Sequence, residues 1–325
     1  MPLITESSYR SPWWCPGGHL QTIVPALARR AHAVTDEDER LELADGDFLD
    51  LCWKRGRPSS RLAIVCHGLE AGAEASYIQE MAGALADAGW EVLAWSYRGC
   101  SREPNRTPGF YHSGATHDLA EVIAHASSQR PDASIDLIGF SLGGNLILKF
   151  LGERGSKVPT CIGRAVAFSV PCDLACSARA LDTPFNREVY MRRFITTLRE
   201  KIRTKHELFP DDVRLSPEGL EKIRTFREFD TRYTAPLHGF EDAEDYWSRS
   251  SSRQFLAAIR VPALLVNADN DPFLGPACYP VSVARESDHF HLEITRGGGH
   301  VGFPGKVNGR SWMTERALRF LAPEQ

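Results

Sequence analysis

The stretch that decides the fold reads Ile135-Asp136-Leu137-Ile138-Gly139-Phe140-Ser141-Leu142-Gly143-Gly144-Asn145-Leu146-Ile147-Leu148. Residues 135–140 form an apolar run typical of a buried strand, and residues 144–150 read as the helix that follows it. The pattern G-x-S-x-G stands between them. A serine on a sharp strand-to-helix turn, flanked by glycines that let the helix pack close to the strand, is typical of a nucleophile elbow. The sequence therefore predicts that Ser141 is a nucleophile.

On both sides of this turn, short apolar runs alternate with helical periods. Strands are predicted at 40–43, 48–53, 62–66, 92–95, 135–140, 164–170, 263–267 and 290–295, and Asp45-Gly46 predicts a hairpin between the first two. Helices are predicted over 76–88, around 119–123, over 146–151 and around 312–321. This alternation predicts an α/β fold with a mostly parallel sheet and helices on both faces. The first 35 or so residues, which include Trp13 and Trp14, are expected to be irregular but packed.

Residues 172–248 interrupt the alternation, because no strand pattern is evident there. Apolar residues repeat at helical spacing along one face: Met191, Phe194, Ile195, Leu198 and Ile202. Ser216-Pro217-Glu218 is typical of the start of another helix. We expect one domain over 1–325, with 172–248 inserted as a helical lid whose apolar stripe lines a channel at the pocket mouth. Basic residues around the stripe allow transient membrane contact, but the mixture with acidic residues favours a solvated face.

The partners of Ser141 are predicted from the order of residues along the chain. Serine is a poor nucleophile until a base takes its proton, and with such an elbow the acid and then the base follow the serine. Asp271 comes just after the strand 263–267, and His300 comes after the next strand and three glycines. The carboxyl ends of parallel strands meet at one sheet edge, so both side chains should reach Ser141. Asp269 is the competing acid, and Asp271 is preferred because it lies further into the loop.

An oxyanion that develops at the reacting carbonyl needs backbone N–H donors. One is predicted to be the amide of Leu142, directly after the nucleophile. The second is predicted in the loop after the strand 62–66, at the amide of Leu69. His67, in the same loop, is expected to pack and form hydrogen bonds rather than to catalyse. Glu70 would face either substrate or solvent, and the sequence does not choose between them.

Composition excludes several other classes of protein. Hydrophobic residues are 42% and charged residues 25%, and the net charge is −4, so no nucleic-acid partner is expected. No phosphate-loop or dinucleotide motif is present, and the eight cysteines lack zinc-site spacing, so neither cofactor nor metal is expected. The start of the chain has no signal-peptide pattern, and no run of 18 apolar residues indicates a transmembrane segment. Free thiols in the cytoplasm are the expectation.

Nearly the whole chain resembles the YheT-like branch of the α/β-hydrolases. The similar segments are Gly17-Gly18-His19-Leu20-Gln21-Thr22-Ile23 (an H-L-Q-T signature), His67-Gly68-Leu69-Glu70 (the oxyanion loop), Tyr97-Arg98-Gly99-Cys100-Ser101-Arg102-Glu103-Pro104-Asn105, Gly139–Gly143, Asp271-Pro272-Phe273 and His300. The resemblance implies the α/β-hydrolase fold, hydrolysis of carboxylic esters with small-molecule or lipid esters as substrates, and Asp271 as the acid. The family usually has asparagine and proline where Gly17-Gly18 stand, so the role of His19 stays open.

The sequence leaves three functions to compare. Hydrolysis of a carboxylic ester through an acyl-serine is the first. Transfer of the acyl group to an alcohol or thiol uses the same residues. A protein that only binds a ligand in the pocket is the third, and loss of the serine or the histidine would mark it. Neither residue is lost here, so the sequence predicts a serine hydrolase that acts on carboxylic esters.

Overall fold

A nine-stranded sheet forms the centre of the computed structural model, which describes residues 2–30, 33–56, 59–307 and 309–322. In chain order the strands are β1 (Leu3–Ile4), β2 (Glu37–Glu42), β3 (Phe48–Lys54), β4 (Arg61–Cys66), β5 (Glu91–Ser96), β6 (Ser134–Phe140), β7 (Ile162–Phe168), β8 (Ala263–Ala268) and β9 (Phe290–Thr295). Across the sheet they run β1-β9-β8-β7-β6-β4-β5-β3-β2. Neighbours are parallel except in the pairs β2–β3 and β3–β5. The prediction of a mostly parallel sheet is confirmed, as is the hairpin, which is the β2–β3 pair.

Twelve α-helices are described. They are α1 (Gly17–Ala28), α2 (Ser76–Asp87), α3 (Thr116–Gln129), α4 (Leu142–Arg154), α5 (Leu174–Leu181), α6 (Pro184–Asn186), α7 (Arg192–Leu208), α8 (Phe226–Phe229), α9 (Ala235–His238), α10 (Ala243–Ser250), α11 (Val281–Glu286) and α12 (Trp312–Leu321). A small hairpin, β10 (Lys306–Val307) and β11 (Arg310–Ser311), precedes α12. Within the described residues, none of the helices combines the length and the apolar character that a bilayer crossing requires.

The core lies on both faces of the sheet, because its central strands are buried on both sides. Every residue of β5 and β8 is buried, as expected for parallel strands that are covered above and below. One apolar cluster joins the sheet to α3 and α4 and to the segment between β7 and β8. The other joins the opposite face to α2 and α12. Helices therefore cover both faces, as predicted.

The strand ends place several loops together at one edge of the sheet. Cys66 at the end of β4 pairs with Gly139 near the end of β6, and Phe140 pairs with Phe168 at the end of β7. Ala268 and Thr295 end β8 and β9 side by side. Because these strands are parallel, the loops that follow them all leave from the carboxyl edge.

Between β7 and β8, a stretch that includes residues 172–248 (the helical segment), the described chain contains helices and turns but no strand. Besides α5 to α10 it contains 3₁₀ turns at Val213–Leu215, Leu220–Lys222 and Arg253–Ala258, and π turns at Arg187–Met191 and Asp230–Thr234. Ser216-Pro217-Glu218 does not begin a long helix, so that prediction is wrong. Gly219 has φ of +72°, a left-handed conformation that a right-handed helix cannot continue through.

The N-terminal arm also differs from the prediction. Instead of being irregular throughout, it contains β1 and the helix α1. Trp13 and Trp14 are 90% and 54% exposed, so neither is packed. The local sequence does not predict α1, because the helix begins with two glycines and contains Pro25. Its stability must come from tertiary contacts, which local propensity does not report.

Candidate active site

Ser141 lies between β6 and α4 with φ of 52° and ψ of −117°. A left-handed conformation at a non-glycine residue costs free energy and is typical of functional turns. Neighbouring glycines make the turn possible. A Cβ on Gly143 would lie 2.5 Å from the carbonyl oxygens of Cys66 and His67, and one on Gly139 would lie 2.6 Å from the Gly143 oxygen. The sequence pattern therefore reflects close packing of α4 against the ends of β4 and β6.

The structure brings the three predicted side chains into one hydrogen-bonded row. Nε2 of His300 lies 2.9 Å from Oγ of Ser141. Nδ1 of the same ring lies 2.8 Å and 3.1 Å from the two carboxylate oxygens of Asp271. A carboxylate can only accept, so Nδ1 carries the proton and Nε2 is free to accept from the serine hydroxyl. Asp271 is buried, and the ring of Phe273 stacks on the imidazole at a centroid distance of 4.0 Å.

Asp269, the competing acid, has a different partner. Its Oδ1 accepts a hydrogen bond of 2.8 Å from the amide of Gly297, so it holds the glycine loop that precedes His300. Asp271 instead accepts from the amide of Phe273 as well as from the imidazole. The geometry is the one expected if Asp271, and not Asp269, orients the base.

The loop that carries His300 is held by α1, an arrangement that the sequence pattern did not predict. Oγ1 of Thr22 accepts a hydrogen bond of 2.8 Å from the His300 amide. Oε1 of Gln21 accepts from the Gly298 amide at 2.6 Å and from Asn270 at 3.0 Å. The signal was present in the H-L-Q-T segment. Its glutamine and threonine position the base loop, while Nδ1 of His19 lies 3.0 Å from the hydroxyl of Tyr190 and so joins α1 to the helical segment.

The loop after β4 lies against the nucleophile. A Cβ on Gly68 would lie 3.4 Å from the Cβ of Ser141. Both Leu69 and Leu142 line the cavity that contains Ser141. Among the described residues, no hydrogen-bond acceptor is found for the Leu69 amide, and Leu142 is the first residue of α4, where an amide lacks an intrahelical acceptor. Both predicted donors are therefore available to a ligand.

His67 has the packing role that the sequence predicted. Its Nδ1 donates to the oxygen of Gly68 at 2.7 Å, and its Nε2 accepts from the amide of Tyr97 at 3.2 Å. Burial lowers the pKa of this imidazole to about 3. It is therefore neutral near pH 7 and braces the loop.

Glu70 lies outside the cavity that contains Ser141, and its carboxylate pairs with a lysine of the helical segment. Its Oε1 lies 2.9 Å from Nζ of Lys201 on α7 and accepts from the hydroxyl of Tyr111 at 2.7 Å. That hydroxyl accepts in turn from the Glu70 amide at 2.8 Å. Glu70 has φ of 53°, so a strained residue directly after Leu69 is held by an ion pair that is only about one-tenth exposed. The spacing of residues along the sequence does not predict the pair between Glu70 and Lys201.

A cavity of about 830 Å³, part of it open to solvent, contains Ser141 and His300. Most of its lining is apolar or aromatic and comes from the helical segment. Phe194 and Leu198 of the predicted apolar stripe line it, whereas Met191, Ile195 and Ile202 are buried in the core beside it. His112, which precedes Ser141 in the chain, also lines the cavity, and burial keeps its pKa well below the ordinary value.

Metal chemistry has no donor set in the part of the chain that the structure describes. No group of three or more histidine, cysteine, aspartate or glutamate side chains is arranged to hold an ion there. All eight cysteines are free thiols. Cys100 contacts Lys201 through a long S···N distance of 3.7 Å, and burial raises its thiol pKa to about 12. It is therefore a protonated, structural thiol at neutral pH.

Comparison with known proteins identifies the family to which this fold belongs. Residues 64–306 match the family described as alpha/beta hydrolase fold. The "Putative esterase YheT" of Escherichia coli (strain K12) is 33% identical over 308 residues, which cover 93% of this chain and 89% of that protein. "Phospholipase ABHD3" of Mus musculus is 28% identical over 310 residues, which cover 93% of this chain and 74% of that protein.

Among solved structures, a Pyrococcus furiosus esterase is similar, with a TM-score of 0.56 at 17% identity over 88% of this chain and 92% of that one. This similarity concerns the fold alone. The resemblance to the YheT-like branch that the sequence indicated is confirmed. The predicted class of carboxylic ester hydrolase agrees with the names of the two sequence relatives. The chain belongs to the α/β hydrolase fold family.

Proposed function

We propose that the protein hydrolyses carboxylic esters through an acyl-serine intermediate on Ser141, with His300 as base and Asp271 as the acid that orients it. The observation that carries the proposal is the row of hydrogen bonds from Ser141 through His300 to Asp271. Ser141 and His300 both line a cavity whose other lining residues are mostly apolar. Acyl transfer chemistry requires a nucleophile, a base oriented towards it and a ligand-sized pocket next to both.

In the proposed first step, His300 takes the proton of the Ser141 hydroxyl while Oγ attacks the ester carbonyl. The tetrahedral intermediate collapses as the imidazolium protonates the leaving alcohol. Water then repeats the sequence on the acyl-serine and releases the carboxylic acid. Asp271 holds the imidazole in the tautomer that accepts from serine and stabilises the positive ring that forms.

The amides of Leu69 and Leu142 are proposed to bind the oxyanion. Each is positioned by backbone that the fold holds tightly. Leu142 opens α4, so the partial positive charge of the helix N-terminus adds to its amide. Leu69 precedes Glu70, whose carboxylate Lys201 and Tyr111 fix. Donors that are already in place cost no reorganisation when charge develops.

The substrate class is proposed from the cavity. Phe194, Leu198 and Leu181 give it the apolar walls that an acyl chain requires, and its volume suits a ligand of moderate size. Residues 172–248 would then act as a lid that supplies these walls within the single domain. The relatives named as an esterase and as a phospholipase support lipid or acyl esters as substrates.

A panel of p-nitrophenyl esters of increasing acyl length tests the proposal. Wild type should hydrolyse them with kcat/KM rising from acetate to medium chains, as more of the acyl group fills the apolar cavity. Ser141→Ala should lose the activity with its fold intact by circular dichroism. Ser128→Ala on α3, whose hydroxyl bonds only its own helix, is the matched control and should behave as wild type. Hydrolysis that survives in Ser141→Ala would contradict the proposal.

A further inference from the structure

The apolar cavity contains one carboxyl group that the proposed ester chemistry does not use. Of the cavity-lining residues in the described part of the chain, Asp230 alone has an acidic side chain. It lies in the turn between α8 and α9, within the helical segment. An apolar acyl channel has no need of a buried carboxyl group, and burying one costs free energy.

The fold builds a specific setting for this carboxyl group. Oδ1 accepts a hydrogen bond of 2.7 Å from Oγ1 of Thr234, and Oδ2 accepts one of 2.8 Å from Nε1 of Trp247. Both of these donors line the same cavity. Each carboxylate oxygen has two acceptor positions, so one position on each oxygen is left for another donor.

No charge in the described structure compensates Asp230. Among the described ion pairs none includes its carboxylate; Arg227, three residues before it, pairs with Glu244 of α10 instead. Burial raises the pKa of Asp230 to about 7, and the hydrogen bonds from Thr234 and Trp247 offset only part of this effect. A neutral donor such as a hydroxyl group would satisfy the open positions whether or not the carboxyl group is ionised.

We propose that Asp230 is a specificity residue that accepts a hydrogen bond from a hydroxyl group of the ester substrate, away from the ester bond itself. The inference rests on the proposed function and narrows its substrate class to hydroxylated esters. Phe229, Tyr246 and Trp247 line the same cavity, and a hydrogen bond is stronger in apolar surroundings than in water. The hydroxyl belongs either to the alcohol portion, as in a glycerol monoester, or to the acyl chain.

Two matched pairs of esters distinguish these sources. The alcohol pair is 1-monooctanoylglycerol and propyl octanoate, and the acyl pair is ethyl 8-hydroxyoctanoate and ethyl octanoate. For each pair the measurement is the ratio of kcat/KM for the hydroxylated ester to kcat/KM for the plain ester. Wild type should favour the hydroxylated member of one pair by about tenfold or more, since a site built for a hydroxyl discriminates against substrates that lack it. Asp230→Asn should lower that ratio about tenfold.

Asp182→Asn is the matched control, since Asp182 lies in the same segment outside the cavity and pairs with Arg187. Its ratio should equal that of wild type. If Asp230→Asn does not fold, the wild-type ratios decide alone. Wild-type ratios near one in both pairs would overturn the inference, as would a ratio unchanged in Asp230→Asn. If wild type hydrolyses none of the four esters or the p-nitrophenyl panel, it is the proposed function that fails.

Discussion

Replacing Lys201 with methionine tests whether the helical segment fixes the proposed oxyanion loop. The change removes the ammonium group but keeps most of the side-chain volume. It leaves the Glu70 carboxylate with Tyr111 as its side-chain partner, in a site where both members of the pair are about one-tenth exposed. Lys201 also donates to the oxygen of Gly99 at 2.7 Å, so that acceptor loses its donor too.

The expected loss is large because the pair is buried. Removing one of the two charged groups of a buried ion pair costs about 3–5 kcal/mol, since the remaining charge is left without compensation. We expect the free energy of unfolding to fall by about 3 kcal/mol. Loss of one oxyanion donor costs about 10²–10³ in kcat. A loosened Leu69 amide should cost part of that, about tenfold, with little change in KM.

Urea denaturation and ester kinetics on Lys201→Met provide the assay, and Arg203→Met is the control. Arg203 lies on the same helix and pairs with Glu221, but these side chains are 47% and 67% exposed. An exposed pair contributes at most about 1 kcal/mol, so the control should keep its activity and nearly all its stability. Equal losses in the two variants, or unchanged kcat in Lys201→Met, would show that the Glu70–Lys201 pair does not fix the loop.

The remaining predictions concern the site and its cavity. His300→Ala should lower kcat by on the order of 10⁴. Ester hydrolysis measured over long incubation times checks this, and a much smaller loss of kcat would contradict the role of His300 as base. Asp271→Asn should be severely impaired and Asp269→Asn much less so; the reverse order would reassign the acid. Leu198→Glu places a charge in the cavity wall and should reduce activity on octanoate esters more than on acetate esters, an expectation that equal losses would defeat. Asp230 has a folded-state pKa raised to about 7 above an ordinary value of about 3.9. The folded protein therefore holds the Asp230 proton more tightly than the unfolded chain does, and the resulting contribution to stability is full below pH 4 and is lost as the pH rises to 7. The free energy of unfolding of wild type, minus that of Asp230→Asn, should fall by roughly 4 kcal/mol over that range. A difference that does not change with pH would contradict this.

The part of the site that sequence predicts well is the part that local patterns encode. The glycines around Ser141 are required by contacts within a few ångströms of one turn. Asp271 and His300 follow successive strands, and parallel pairing alone brings strand ends to one edge. Order along the chain is enough to find such residues.

What the sequence did not reveal depends on contacts between distant segments. Glu70 and Lys201 meet because α7 packs over the loop after β4, and no spacing rule links the two positions. Gln21 and Thr22 support His300 from a helix whose glycines and proline argue locally against it. Asp230 reads as one more acidic residue in a mixed helical segment until its burial is known. Contact of that segment with membranes stays a prediction, and its Arg199 and Arg203 already pair with Glu221.

The role of Ser141 as the nucleophile is tested most directly by the mass of the intact protein after reaction with an alkyl fluorophosphonate. Such a reagent modifies a serine only when a base activates it, so the label reports the contact between Ser141 and His300. We predict one adduct on wild type, located on Ser141 by peptide mapping, and no adduct on Ser141→Ala. An adduct on another residue, or equal labelling of Ser141→Ala, would contradict it.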